Sequence, residues 1–268
     1  MYVTLIPFFL AANVVVNDRS EWTFGPEYSF NLQVTHDSMY EKELTKYRKV
    51  FSTVKCRPKM ADSLFCEIQY FKTFDGQKEL VLRTSVIFEM KFNEHGVERI
   101  FTNSSDPFKK ELTQKIAQQL STGVDVQRKF KGNSIYWGEE AVRNGDRCWM
   151  GCSITYLKPK INMSKQNTDF QLVILPMFDV KPDSSFIIRK DISCGCYLYG
   201  PNIFQIEFSG ATQINNRFEG PIYVINTHNW RDPGPFQEAI QLTLESIQPA
   251  QNKLMDIFNG NWFFHNYK

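Results

Sequence analysis

Residues 50–70, VFSTVKCRPKMADSLFCEIQY, contain two alternating apolar runs that flank a short polar break. The runs, Val50 to Cys56 and Leu64 to Tyr70, have the period-two pattern of half-buried strands. The break RPKMADS supplies Pro, Asp and Ser for a turn. Opposed residues of two paired strands lie within the Cα separation of about 4.4 to 6.8 Å that a disulfide allows. The stretch therefore predicts a β-hairpin closed by a Cys56–Cys66 disulfide, which is typical of an extracellular protein.

The same alternation recurs along most of the chain. A second hairpin is predicted at 87–100, where Asn93-Glu94-His95-Gly96 turns the chain. Further strands are predicted at 28–34, 170–180, 185–192, 220–227 and 239–247. These segments predict a mainly β protein.

One amphipathic helix interrupts the strands. Ser105 or Asp106 can cap it, Pro107 suits its first position, and Gly123 ends it. Its apolar stripe recurs every four residues at Phe108, Leu112, Ile116 and Leu120. Because only one stripe needs burial, we expect the helix to lie in a barrel mouth or against an open sheet face.

Length and composition describe an ordinary globular protein. The chain has 268 residues, of which 42% are hydrophobic and 22% charged, so it forms one large domain or two modest ones. The formal net charge of +2 is too small to indicate nucleic acid as a partner.

The N-terminal stretch MYVTLIPFFLAANVVV carries no charge. It is too short to span a bilayer, which takes about 20 residues. Residues 1–17 are interpreted as a signal peptide, and the alternative is a buried first strand. The main domain then covers 18–253, and the apolar segment 254–268 is either a capping turn or an unpaired tail.

Six cysteines and two glycosylation sequons agree with secretion. The sequons begin at Asn103 and Asn162. We expect all six cysteines to form disulfides, and the alternative is a zinc site in which the close Cys-Gly-Cys spacing is unusual. The cysteines are Cys56, Cys66, Cys148, Cys152, Cys194 and Cys196.

Motifs of catalysis are missing from the sequence. There is no nucleophile elbow, H-E-x-x-H, phosphate loop or dinucleotide fingerprint, and the four histidines are scattered. We therefore expect a protein that is not an enzyme and needs no metal or other cofactor.

Basic residues cluster locally despite the small net charge. They predict a docking surface, and the alternative is a pair of ordinary solvated strand faces. A short pair, Arg189-Lys190, precedes Cys194. The main cluster comprises Lys42, Lys46, Arg48, Lys49, Lys55, Arg57 and Lys59.

Several runs follow one another in a recognisable order. In this order they resemble the N-terminal β-sheet domain of vitellogenin and related large lipid-transfer lipoproteins, over residues 21–253. The runs are WTFGPEY (22–28), CRPKMADSLFCEI (56–68), FEMKFNEHGVERIF (88–101), SDPFKKELTQKIAQQL (105–120), CSITY (152–156), IIRKDISC (187–194) and LTLESIQPAQNK (242–253).

This resemblance implies a secreted β-barrel with one central helix and a disulfide between Cys152 and Cys194. It also implies contact with a lipoprotein-receptor-type protein, which grips basic residues with calcium-bound acidic modules. Arg189 and Lys190 fall on the basic run assigned to that contact. The family's later helical and sheet domains, which enclose lipid, have no counterpart in this sequence.

The leading hypothesis is a secreted, non-enzymatic module that binds such a receptor through its basic surface. The alternative is a carrier that holds a small apolar ligand inside the barrel. A zinc-dependent hydrolase is a third, weakly supported possibility.

Overall fold

The structure is a computed structural model. It describes residues 14–16, 23–38, 49–60, 63–75, 78–83, 85–93, 96–120, 136–141, 147–157, 170–172, 185–192, 202–208, 213–214, 217–218, 223–231, 236–254 and 263–266.

Strands dominate these residues, and one helix interrupts them. The helix is α1, Pro107–Gln119. The strands before it are β1 (Val14–Val16), β2 (Pro26–Ser38), β3 (Lys49–Met60), β4 (Ser63–Ile68), β5 (Phe71–Asp75), β6 (Lys78–Leu82), β7 (Val86–Asn93) and β8 (Gly96–Thr102). Those after it are β9 (Tyr136–Ala141), β10 (Arg147–Leu157), β11 (Phe170–Leu172), β12 (Ser185–Ile192), β13 (Asn202–Phe208), β14 (Gln213–Ile214), β15 (Arg217–Phe218), β16 (Tyr223–Arg231), β17 (Phe236–Pro249) and β18 (Phe263–Asn266).

One large antiparallel sheet contains most of the strands. Its order is β18-β8-β7-β4-β3-β2-β17-β16-β13-β12-β10-β9, and the β5–β6 hairpin branches from β3. The mainly β prediction is therefore confirmed. β9 comes close to β8, but no ladder joins the two strands in the part of the chain that the structure describes. The predicted barrel is thus an open, curled sheet rather than a closed cylinder.

The hairpin that the cysteines predicted is confirmed. β3 and β4 pair antiparallel with Cys56 opposite Cys66, and the two sulfur atoms are bonded. Their Cα atoms lie 4.1 Å apart. The ladder shifts by one residue between Pro58 and Met60, because proline has no N–H to give to a regular ladder.

The core forms on one face of this sheet. Alternate residues of β2, β3, β4, β7 and β17 point inward, as the period-two pattern predicted. Its largest side chains that are almost inaccessible to solvent are Phe71, Phe88, Phe92, Leu32, Ile68, Met90, Ile100 and Ile116.

Tyr28 is the polar exception among these large core side chains. It is 2% exposed and lies between Cys56 of β3 and Ile247 of β17. Its hydroxyl has no hydrogen-bond partner among the described residues. Burial raises the pKa of the Tyr28 hydroxyl above its ordinary value, because the phenolate loses hydration there.

Helix α1 begins where the sequence predicted. The Asp106 carboxylate accepts hydrogen bonds from the backbone N–H groups of Phe108 and Lys109, at 2.9 and 3.3 Å, so Asp106 is the N-cap. The helix packs on β8 and β7. Leu112, Ile116 and Leu120 are buried, whereas Phe108 keeps 37% of its surface exposed beside Phe71 at the margin of the core.

Both ends of the chain contribute strands. Val14–Val16 pairs with Phe170–Leu172, and the rest of the proposed signal peptide lies outside the described residues. Phe263–Asn266 pairs with β8. Four residues of the segment 254–268 therefore extend the sheet, and apart from Leu254 the rest of the segment lies outside the described residues. No helix among the described residues is long and apolar enough to cross a membrane.

The other strand predictions are confirmed to different extents. The strand predicted at 185–192 and the 87–100 hairpin are confirmed, the latter as β7 and β8. The strands expected at 220–227 and 239–247 belong to β16 and β17, which both extend further. Of the stretch 170–180, only residues 170–172 are described.

We expect Leu112→Asp to unfold the domain or expose its interior. Leu112 is 3% exposed on the inner stripe of α1, and an unpaired carboxylate there costs several kcal/mol. Thermal melting of this variant beside Gln114→Asp, which adds the same charge to a half-buried position of the helix, measures the effect. Equal melting of both variants would show that α1 does not support the core.

Tyr28→Phe is expected to raise the free energy of unfolding by about 1 kcal/mol at neutral pH, because it removes a buried hydroxyl without a partner. The gain should grow above about pH 10. There the unfolded wild type ionises Tyr28, whereas the folded wild type holds its proton and so loses stability as the pH rises. Urea titrations across this range test both points. A variant that is less stable than wild type at every pH would contradict them.

Candidate binding surface

The predicted basic cluster lies partly on β3. Lys49, Lys55, Arg57 and Lys59 belong to this strand, whereas Lys42, Lys46 and Arg48 lie outside the described residues. On β3 the basic side chains alternate with the buried Val50, Ser52, Val54 and Cys56. They therefore share the outer face of the strand.

Arg57 is buried, although it belongs to the outer face of β3. It is 7% exposed. One guanidinium nitrogen, Nη1, donates to Asn252 Oδ1 at 2.9 Å, and Nη2 donates to the backbone carbonyl of Asn252 and, at 3.5 Å, to that of Phe24. The side chain thus joins three distant segments, so we do not include Arg57 in a docking surface.

The electrostatic setting of Arg57 agrees with a structural role. Desolvation lowers the pKa of its guanidinium, and the carboxylate of Glu27 partly offsets this effect. Arginine titrates so far above neutrality that the side chain stays charged. A buried cation of this kind is held by acceptors that the fold supplies.

The same corner contains a constrained turn at the start of β2. Gly25 has a φ of 79°, in the left-handed region that favours glycine. Its carbonyl accepts a hydrogen bond from the N–H of Ala250 at 2.9 Å. The first, second and last runs of the sequence resemblance, which contain Gly25, Arg57 and Asn252, therefore meet at one place.

Two other lysines of the cluster are engaged by carboxylates. Lys55 Nζ lies 2.9 Å from Glu27 Oε1, and Lys59 Nζ lies 2.9 Å from Glu89 Oε2. The second pair is nearly buried, with side-chain exposures of 10% and 12%. Lys49 is exposed and has no ion-pair partner within the described ranges. The cluster is therefore less basic than its sequence suggests.

The basic pair at 189–190 lies on β12, in the interior of the sheet order. β12 pairs with β10 on one side and β13 on the other. Arg189 is in register with Ser153 and Gln205, and Lys190 with Cys152 and Phe204. The structure thus separates this pair from β3 by β2, β17, β16 and β13 in the sheet order.

The second group of cysteines is only half described. Cys148 and Cys152 are four residues apart on β10, which is about 13 Å along a strand, so they cannot bond to each other. Cys194 and Cys196 lie outside the described residues, and the Cys152–Cys194 disulfide stays a prediction. No cluster of three or more metal-binding side chains occurs in the part that the structure describes.

One sequon is accessible in the structure. Asn103 is exposed directly after β8, and its Oδ1 accepts a hydrogen bond from the N–H of Ile87 at 3.1 Å. Asn162 lies outside the described residues. Glycosylation at both sites stays a prediction.

A cleft lies beside the β5–β6 hairpin, where the sequence motifs predicted no site. Its volume is about 490 Å³, and it is shallow and open to solvent. It is lined by Gln69, Tyr70, Lys72, Val81, Arg83 and Ser85. The signal for it was the run KELVLR at 78–83, which places three apolar residues between charges.

Arg57→Ala is expected to lower the free energy of unfolding by about 2 to 4 kcal/mol, because it leaves the carbonyl groups of Phe24 and Asn252 without their charged donor. Lys55→Ala, two residues away on the same face, is the matched control and should cost at most about 1 kcal/mol. Denaturant titrations compare the two variants. Equal stability losses would remove the structural role of Arg57.

Compared with known proteins, the chain matches no protein-family model and no curated protein sequence. The resemblance to the vitellogenin N-terminal domain therefore stays a prediction that depends on the quoted runs of sequence.

Proposed function

We propose that the chain is a secreted, non-enzymatic binding module of the vitellogenin N-terminal type. Its partner is a lipoprotein-receptor-type protein, and the contact is made by basic residues of β12 and β3. The observation that carries the proposal is the filled inner face of the strands whose burial the structure describes, β2 to β8 and β17, which leaves their outer surface for recognition.

The inner face is occupied by the protein's own side chains. Phe88, Met90 and Ile100 are 0% exposed, and α1 adds Ile116 to the same core. Such packing leaves no room for a ligand in this part of the sheet. This favours a binding module over the alternative carrier of a small apolar ligand.

The basic side chains of the outer surface are not equally available to a partner. Lys55 and Lys59 are neutralised by Glu27 and Glu89, so a partner carboxylate would have to compete with them. Lys49 is exposed at the start of β3. We therefore assign the contact to the pair Arg189-Lys190 on β12, one member of which the alternation of strand residues places on the outer face, with Lys49 as a secondary element.

The Cys56–Cys66 disulfide supports an extracellular site of action. Disulfides persist where the environment is oxidising, and they are rare in reduced compartments. The closed loop is short, so chain entropy gives the bond about 2 to 3 kcal/mol of stabilisation. An extracellular location is also what a calcium-dependent receptor requires.

Arg189→Glu combined with Lys190→Glu should slow association with a calcium-loaded acidic receptor module by about tenfold or more, since charge reversal opposes electrostatic steering. Surface plasmon resonance with purified modules measures the rate. Wild-type binding should fall in chelator and at high salt, because exposed charges are screened over about 8 Å at physiological ionic strength.

Lys109→Glu combined with Lys110→Glu is the matched control. It makes the same change in net charge on the first turn of α1, where acidic residues are favourable to the helix. This variant should bind like the wild type. Equal slowing of both double variants would mean that only net charge matters, and absence of calcium-dependent binding by the wild type would overturn the proposed function.

A further inference from the structure

Strand β6 is an edge of the sheet in the part of the chain that the structure describes. Among the described residues it pairs only with β5, so the backbone groups of its other side have no strand to bond. Three successive apolar side chains are exposed there, namely Leu80 (47%), Val81 (45%) and Leu82 (36%). An exposed apolar edge of this kind is a template for pairing with another strand.

The side chains of β6 divide between the two faces of the hairpin. Leu80 and Leu82 lie opposite Thr73 and Phe71, which are both 1% exposed, so these leucines continue the inner face. Val81 lies opposite the exposed Lys72 on the outer face. Val81, Lys72 and Arg83 line the same open cleft, which places them together on that outer face.

The run Glu79-Leu80-Val81-Leu82-Arg83 is complementary to itself when two copies run antiparallel. With Val81 opposite Val81 of the second copy, Leu80 meets Leu82 and Glu79 meets Arg83 at both ends. Glu79 and Arg83 lie two residues from Val81 on either side, so the ion pairs and the valine pair share one face. Opposite charges across a strand pair stabilise it.

Other registers lack this match. Centring the pair on Leu80 sets Glu79 against Val81 and Lys78 against Leu82. Centring it between Leu80 and Val81 sets Lys78 against Arg83, and an in-register parallel pair sets Glu79 against Glu79. Like charges directly opposite each other destabilise a strand pair, and of these registers only the one centred on Val81 sets opposite charges against each other, so charge favours that register.

We propose that β6 is a docking edge for a second copy of this chain, and that two β6 strands pair antiparallel about a twofold axis at Val81. The contact is isologous and closes as a dimer, because each copy uses the same edge once. Glu79 then has Lys72 of its own chain, 3.8 Å away, on one side and Arg83 of the second copy on the other. Leu80 and Leu82, on the inner face, become less exposed to solvent because the second copy packs against them.

Charge exchange between two variants tests this register. Glu79→Arg alone sets arginine against arginine, and Arg83→Glu alone sets glutamate against glutamate, so each variant should dimerise at least about tenfold more weakly than wild type. When the two variants are mixed, both positions again set opposite charges against each other, one pair in the wild-type order and one reversed, and a heterodimer should form. Sedimentation velocity from about 10 μM to about 1 mM follows the assembly, since a short edge is a small interface of modest affinity.

Controls separate this edge from other causes. Glu111→Arg makes the same charge reversal on α1 and should dimerise like wild type. Val81→Lys should abolish dimerisation while leaving the circular dichroism spectrum unchanged, because Val81 is exposed. Wild type that stays monomeric up to about 1 mM, a mixture that forms no heterodimer, or a Val81→Lys dimer of unchanged affinity would each overturn the proposal.

Discussion

The ladder between β2 and β17 is the constraint on which the rest of the sheet depends. It joins Pro26–Ser38 to Phe236–Pro249, at opposite ends of the sequence, through a continuous antiparallel register with one bulge. Asn31 donates to Glu245 across this ladder at 3.2 Å, although the residues are 214 positions apart. The hairpins before α1 lie on one side of the ladder, together with β18, and the strands β16, β13, β12, β10 and β9 lie on the other. Without this ladder, no other ladder of the described residues would join those five strands to the strands before α1.

The corner at the end of this ladder gives a structural role to three of the sequence runs that carry the predicted resemblance. The left-handed turn at Gly25, the Arg57 guanidinium and the segment through Asn252 hold one another by hydrogen bonds. A buried cation that is bonded to two carbonyl groups requires all three segments at once. The predicted resemblance at these positions therefore coincides with the hydrogen bonds that hold this corner together, whereas the proposed receptor contact depends on residues of β12 and on Lys49.

Charge compensation decides how basic the surface is. In the sequence, the stretch from Lys42 to Lys59 has a clear excess of lysine and arginine. In the fold, Glu27 of the neighbouring strand β2 neutralises Lys55, and Glu89 of β7 reaches across β4 to neutralise Lys59. Glu27 and Glu89 are distant from those lysines along the chain, so composition over a window cannot detect the compensation. The proposed docking surface is narrower than the cluster for this reason.

The sequence by itself determined the local structure. Alternation over 50–70 determined the hairpin and brought Cys56 to Cys66, and the Asp106 cap with its four-residue stripe determined α1, because these patterns act between near neighbours. Only the tertiary structure decided that β2 pairs with β17, that the sheet stays open, that Arg57 is buried and that β6 is an edge. These features arise from contacts between segments far apart in the chain, and a one-dimensional pattern does not record which distant strand or acceptor will lie beside a residue.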